Sequence, residues 1–160
     1  VPYLAQLIAV VLRDTPFPYC DRAVPILLGV AAQESGLQHT RQLGKGPARG
    51  YWQCEPATER DHWRWLQGAT VLRQAIIARC GVDEASAVAL QHNMPYQILL
   101  ARLHFYLRDP EPLPAAEDIT TQAERWKRYY NTNAGKGSVA DYLATWQRMV
   151  APYFSSRLSI

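Results

Sequence analysis

The sequence predicts a mainly α protein folded as a single domain over residues 1–160. Three observations predict it. Apolar residues recur at spacings of three and four in one segment after another. Period-two alternation, the mark of a half-buried strand, is nearly absent. Glycine and proline fall mostly between the periodic segments, where they stop or start helices. A chain of 160 residues is about one domain long. Its 48% hydrophobic and 19% charged content is that of an ordinary globule rather than a disordered chain. No internal repeat or low-complexity tract is present.

About seven or eight helices follow from the pattern. Residues 3–13 form the first, ended by Asp14-Thr15-Pro16. Asp21 is placed to cap the second, whose apolar face is Ala23, Ile26, Leu27, Val30 and Ala31. Pro25 falls in its first turn, where a missing N–H costs little, and Gly36 stops it. Residues 37–55 hold three glycines and one proline and no long apolar period, so they read as loop, with a short hairpin around 38–55. Pro56 opens a helix through Gln67, which Gly68 breaks. Thr70 to Arg79 is the next, stopped by Gly81, and Asp83 or Ser86 caps the one after. Met94-Pro95 starts a long helix to Arg108 with Ile98, Leu99, Leu103, Tyr106 and Leu107 as its apolar face. The connector 109–115 is proline-rich, Asp118 or Thr120 caps a helix through Tyr130, and 131–137 is a turn cluster. Ser138 caps the last helix, Val139 to about Tyr153.

Composition removes several function classes. The net charge of +3 is mild, and Lys and Arg are scattered without a basic run, which argues against nucleic acid as partner. Cys20, Cys54 and Cys80 are odd in number and irregularly spaced, so they read as free thiols rather than a disulfide framework. No Cys-x-x-Cys or His-x-x-x-His pair exists, and no metal or cofactor is expected. Residues 3–12 are too short to span a bilayer and lack the flanks of a signal peptide, so no stable membrane insertion is expected and the export route is not written in the chain.

The chemistry concentrates in Gly29 to Pro56. Glu34 lies in the last turn of an apolar helix, where the helix dipole disfavours a carboxylate and burial beside Val30, Ala31 and Leu37 would raise its pKa. A carboxylic acid kept protonated near neutral pH can deliver a proton to a glycosidic oxygen. A solvated surface acid is the plain alternative. The neighbours favour the first reading. Ser35 can hydrogen-bond a carboxylate or a reacting water. Gly50 lets backbone approach a ligand, Tyr51 or Trp52 can stack on a sugar ring, and Gln53 can donate to a hydroxyl or acetamido group.

Glu34-Ser35 followed by Gly50-Tyr51-Trp52-Gln53 resembles the soluble lytic transglycosylases and the goose-type lysozymes beside them. A third motif of that family, Tyr-Asn-Ala-Gly, resembles Tyr130-Asn131-Thr132-Asn133-Ala134-Gly135. Without a gap, Thr132 replaces the tyrosine. With two extra residues, Tyr130 and Asn131 take the motif's places, and Tyr130 is preferred because its hydroxyl can reach an acid from an adjacent helix end. Gly137 and Val139 also match the family's habit. The three motifs stand in the family's order over residues 30–139. The resemblance implies a lysozyme-like single catalytic domain acting as a monomer on peptidoglycan glycan strands at the bacterial cell wall. Glu34 would be the single catalytic acid and base, cutting between N-acetylmuramic acid and N-acetylglucosamine. Ser35, Gly50, Tyr51, Trp52, Gln53, Tyr130 and Asn131 would bind substrate. The Tyr51-Trp52 pair and the Gly-Pro-rich approach from Gly44 to Gly50 depart from the bacterial enzymes and suggest a divergent, phage-encoded, endolysin-like member.

Rival readings remain at this level. A hydrolytic muramidase would need a second carboxylate, for which Glu55, Glu59 and Asp61 are candidates. A cysteine enzyme would pair Cys54 with His39, His62, His92 or His104. A non-catalytic wall-binding or virion module would keep the fold without cleavage. Trp63, Trp65, Trp126 and Trp146 fall in helical patterns as core. Arg125, Lys127 and Arg128 read as a solvated face that could also meet an acidic peptide stem.

Overall fold

A computed structural model describes residues 1–44, 46–131 and 135–154. Two helices form the centre. Helix α2 (Cys20–Ser35) is buried without interruption from Ala23 to Ala32, and α6 (Met94–Arg108) from Tyr96 to Leu103. A helix apolar on all sides must be surrounded, and both are. The α2 helix packs against α1 (Pro2–Leu12), α6, α7 (Ile119–Arg125) and α8 (Val139–Met149). The α6 helix packs in addition against α1, α3 (Pro56–Leu66), α4 (Thr70–Cys80) and α5 (Ala87–His92). A short α9 (Ala151–Phe154) closes onto α8.

The mainly α architecture is as expected, with its starts and stops carried by local chemistry. Ser86 caps α5, accepting from the Ala89 N–H; Asp118 caps α7, and Ser138 makes a capping box with Asp141. Gly36 and Gly81 end α2 and α4 in left-handed conformations. No described helix is long and apolar enough to cross a membrane.

Four expectations change. Asp21 does not cap α2: Tyr19 stands there in a left-handed conformation (φ 56°) and Asp21 lies in the first turn. Because α2 starts at Cys20, Pro25 is its sixth residue, so the helix forgoes one backbone bond there. The loop before α3 holds no strand among the described residues, only isolated bridges of Arg49 to Arg41 and to Cys54. On α6 the expected apolar Tyr106 is 43% exposed.

The helix ahead of the third motif also differs. After Arg125 the chain widens into a π-helix, Trp126–Asn131, packed against α6. Such turns are rare and recur at functional sites. Thr132, Asn133 and Ala134, the ungapped version of the motif, lie outside the described residues.

Candidate active site

Glu34 sits one residue before the end of α2, and its own neighbours terminate the helix around it. The Ser35 hydroxyl donates to the Ala31 carbonyl at 2.9 Å and accepts from the Leu37 N–H at 3.2 Å. Ser35 is therefore spent on closing the helix end rather than free to serve Glu34. The Gly36 N–H bonds to the Ala32 carbonyl. These contacts leave the Glu34 side chain half-buried and turned to a cleft.

Trp126, at the start of the π-helix, fixes the carboxyl. Its indole N–H donates to Glu34 Oε1 at 2.7 Å. The ring is buried against Tyr142 of α8 (centroids 5.4 Å apart), so the donor cannot swing away. Burial drives the Glu34 pKa up, and the Trp126 bond draws it partly back by favouring the carboxylate.

The cleft beside Glu34 has a volume of about 910 Å³. A second lobe of about 510 Å³ shares Glu34, Leu43 and Gln53 with it, so the carboxyl stands between two spaces. Gln53 reaches this position through a left-handed backbone (φ 48°), with its amide nitrogen bonded to the Gly50 carbonyl at 2.7 Å. No bond to its amide oxygen forms among the described residues. Tyr130 and Asn131 line the larger lobe from the π-helix. The Asn131 amide donates to the Lys136 carbonyl at 2.8 Å, and Lys127 to the Gly135 carbonyl at 2.9 Å, which ties Gly135 and Lys136 to the π-helix.

Of the residues expected to bind substrate, Gln53, Tyr130 and Asn131 thus share the larger lobe with Glu34, and Ser35 lines the smaller one. Gly50, Tyr51 and Trp52 line neither lobe. Trp52 is 1% exposed, its indole N–H donating to the Leu27 carbonyl at 2.9 Å, so its ring belongs to the core rather than to a sugar platform. Tyr51 packs against that core, and its N–H bonds to Gln97 at 2.9 Å. Gly50 (φ 74°) does admit a close approach, but by the protein itself: an added Cβ would lie 2.6 Å from Gln97 Oε1 and 2.7 Å from the Leu90 carbonyl. The expected contact of Tyr130 with the acid is also replaced. The hydroxyl donates to the Trp52 carbonyl at 2.7 Å, and its pKa rises well above the usual range through burial, then through Cys54 and Glu34 nearby.

The candidate second carboxylates separate clearly. Glu59 is buried and accepts from the Ser86 N–H at 2.7 Å and the Tyr96 hydroxyl at 2.5 Å, so it braces α3 against α5 and α6. Asp61 is exposed and paired with Arg64 at 2.8 Å. Glu55, at the exposed start of α3, lines the cleft with Glu34.

Sequence reasoning offered His62 and His104 only as partners for Cys54 and missed their contact with each other in the cleft. His62 of α3 and His104 of α6 line it together, their rings 5.3 Å apart. A carbonyl can only accept, so His104 Nε2–H donates to the Tyr129 carbonyl at 3.0 Å. His104 Nδ1 is then the acceptor for His62 Nε2–H at 3.3 Å. His62 Nδ1 is left buried without a partner. Both imidazoles are held neutral. Burial first, then His104 and Arg108, lowers His62 to about 3, and burial, then Arg108, lowers His104 to about 4 against the Tyr129 bond. Cys54, in the same cleft, is pushed up to about 12 by burial, Glu59 and Glu55. A thiol that resists ionisation beside imidazoles that resist protonation is the reverse of an activated thiolate–imidazolium pair. Two histidines 42 residues apart carry no local signal, and only the packing of α3 on α6 brings them together.

No family model matches the chain, and neither a curated protein nor a solved structure matches it significantly.

Proposed function

We propose that this chain is a peptidoglycan-degrading lytic transglycosylase of lysozyme-like design, with Glu34 as its single catalytic acid and base. The observation that carries the reading is the state of Glu34: a half-buried carboxyl with raised pKa, held by the Trp126 N–H, on the lining shared by two lobes of a cleft. A glycan strand laid through both lobes brings a glycosidic oxygen past that acid. Glu34 gives its proton to the leaving oxygen as the ring takes oxocarbenium character. The resulting carboxylate, still bonded to Trp126, then accepts the proton of the sugar's own C6 hydroxyl, which closes a 1,6-anhydro ring and restores the acid. Gln53 and Asn131 supply polar contacts to hydroxyl and acetamido groups.

Glu55 favours a second reading, because it is the other carboxylate on the cleft wall. It could activate a water, and the product would then be a reducing muramic end. Mass spectrometry of purified peptidoglycan digested by wild type and by Glu34→Gln tests these together. Anhydro-muropeptides from wild type and none from Glu34→Gln are expected. Reducing ends would replace the transglycosylase by a hydrolase, with Glu55→Gln then inactive. A folded wild type inert on every peptidoglycan offered would leave a non-catalytic wall-binding module.

A further inference from the structure

Another cavity, of about 370 Å³, has no lining residue in common with the Glu34 cleft. Its wall comes from Pro18-Tyr19 ahead of α2, from α6, and from the proline-rich connector. Arg102 is 2% exposed and donates to the Pro18 carbonyl at 2.7 Å, yet its Nε is left unpartnered. Asp109 is also buried. Its Oδ1 accepts from Arg125 and from the Glu111 N–H, while Oδ2 has no partner. Arg102 and Asp109 make no ion pair with each other. A buried cation and a buried carboxylate thus line one small space, each with an unsatisfied polar atom, a costly arrangement that an occupant able to donate and accept would relieve.

The charges say what that occupant is not. Arg102 and Arg125 balance Asp109 and Glu111, with Arg125 bonded to both acids, so neither an anion nor a cation is selected. A purely apolar ligand would leave both polar atoms unpaired. The walls say what it is. Tyr19 and Tyr106 line the cavity and are 42% and 43% exposed. Tyr19 is held in its left-handed conformation with the Arg22 guanidinium 5.3 Å from its ring centroid. Tyr106 is packed edge-on between Phe17 and Trp65, and Trp65, outside the cavity lining, is itself 42% exposed. Aromatic walls around one neutral donor–acceptor pair suit a ring with an apolar face and vicinal hydroxyls. We propose that this cavity is a second saccharide-binding site, taking one sugar ring between Tyr19 and Tyr106, with hydroxyls on Asp109 and Arg102 and further rings along Trp65. It does not depend on catalysis at Glu34, since peptidoglycan digestion reports on that residue alone.

The test is an amide chemical-shift titration of the Glu34→Gln protein with tetra-N-acetylchitotetraose. A set of shifts around Tyr19, Arg102, Tyr106 and Leu113 is expected, saturating separately from any set at Gln53 and Tyr130. Tyr106→Ala and Tyr19→Ala each weaken the first set by roughly 3–10-fold, the scale of one lost ring contact, and leave the second unchanged. Absence of the first set, or its survival in both variants, overturns the proposal. Shifts from a neutral proline-rich peptide and none from the saccharide also overturn it, in favour of a peptide groove.

Discussion

At the scale of single residues, the proposed chemistry turns on one carboxyl whose two influences oppose each other. Burial favours neutral Glu34, and the Trp126 N–H favours the ion. Trp126→Phe removes only the second. The Glu34 pKa then rises further, so the alkaline limb of the pH–rate profile moves to higher pH. The freed carboxyl also loses its orientation, and the rate falls by about 10-fold or more. Profiles of wild type and Trp126→Phe on solubilised peptidoglycan check both; an unmoved alkaline limb would detach Trp126 from the acid. Stability follows the same sign. A carboxyl with a raised folded pKa contributes fully below its unfolded pKa and loses that contribution as pH rises through the folded one. Glu34→Gln cannot ionise, so its melting temperature gains on wild type between pH 4 and pH 8. The half-buried carboxyl with its raised pKa was legible in the sequence because helix end, apolar neighbours and Gly36 stand side by side. Ser35 and Trp52 misled because residue type does not reveal that a hydroxyl is spent on a helix end or an indole on the Leu27 carbonyl.

Secondary-structure elements impose the next level of control. The His62–His104 bond joins α3 to α6, and both imidazoles have folded pKa values below the unfolded one. The unfolded chain therefore binds more protons as pH falls below about 6.5, and stability drops until the folded pKa values near 4 and 3 are reached. Each histidine steepens the loss by up to about 1.4 kcal/mol per pH unit. Melts of His62→Gln from pH 7 to pH 4 are expected to show a shallower acid slope than wild type; an equal slope would place the acid sensitivity elsewhere. The π-helix acts at this scale too. Its widened turn presents Trp126 to Glu34, the Tyr129 carbonyl to His104 and the Tyr130 hydroxyl to Trp52. Tyr130→Phe removes one part-buried hydrogen bond, worth about 1 kcal/mol, and lowers the melting temperature by about 2–4 °C in differential scanning calorimetry. Helices with an apolar period and a cap, such as the one begun by Ser138, could be read directly. The change from α to π at Trp126 could not, since the sequence from Ile119 to Asn131 holds no glycine or proline to mark it.

For the whole molecule, the site depends on how closely α8 lies on α2, because Tyr142 of α8 supports the Trp126 ring that holds Glu34. That approach rests on Gly29. A Cβ there would fall on the Tyr142 hydroxyl, 2.5 Å from Tyr142 Cζ and 3.2 Å from Trp146 Cε3. Both rings are buried and α2 is enclosed on every side, so the clash falls on the packing of α8 against α2. Gly29→Ala is normally a gain in a helix interior, by up to about 1 kcal/mol. Here overpacking wins: a net loss of about 2 kcal/mol is expected, read as a melting temperature lower by roughly 4–8 °C. Adding Tyr142→Phe removes the nearest atom but leaves Cζ inside contact distance, so it recovers only part of the loss. Because the strain falls between α2 and α8, activity declines in the single variant even below its melting temperature. An unchanged melting temperature for Gly29→Ala would mean that α8 can stand off from α2, and that the support of Trp126 does not come from this packing.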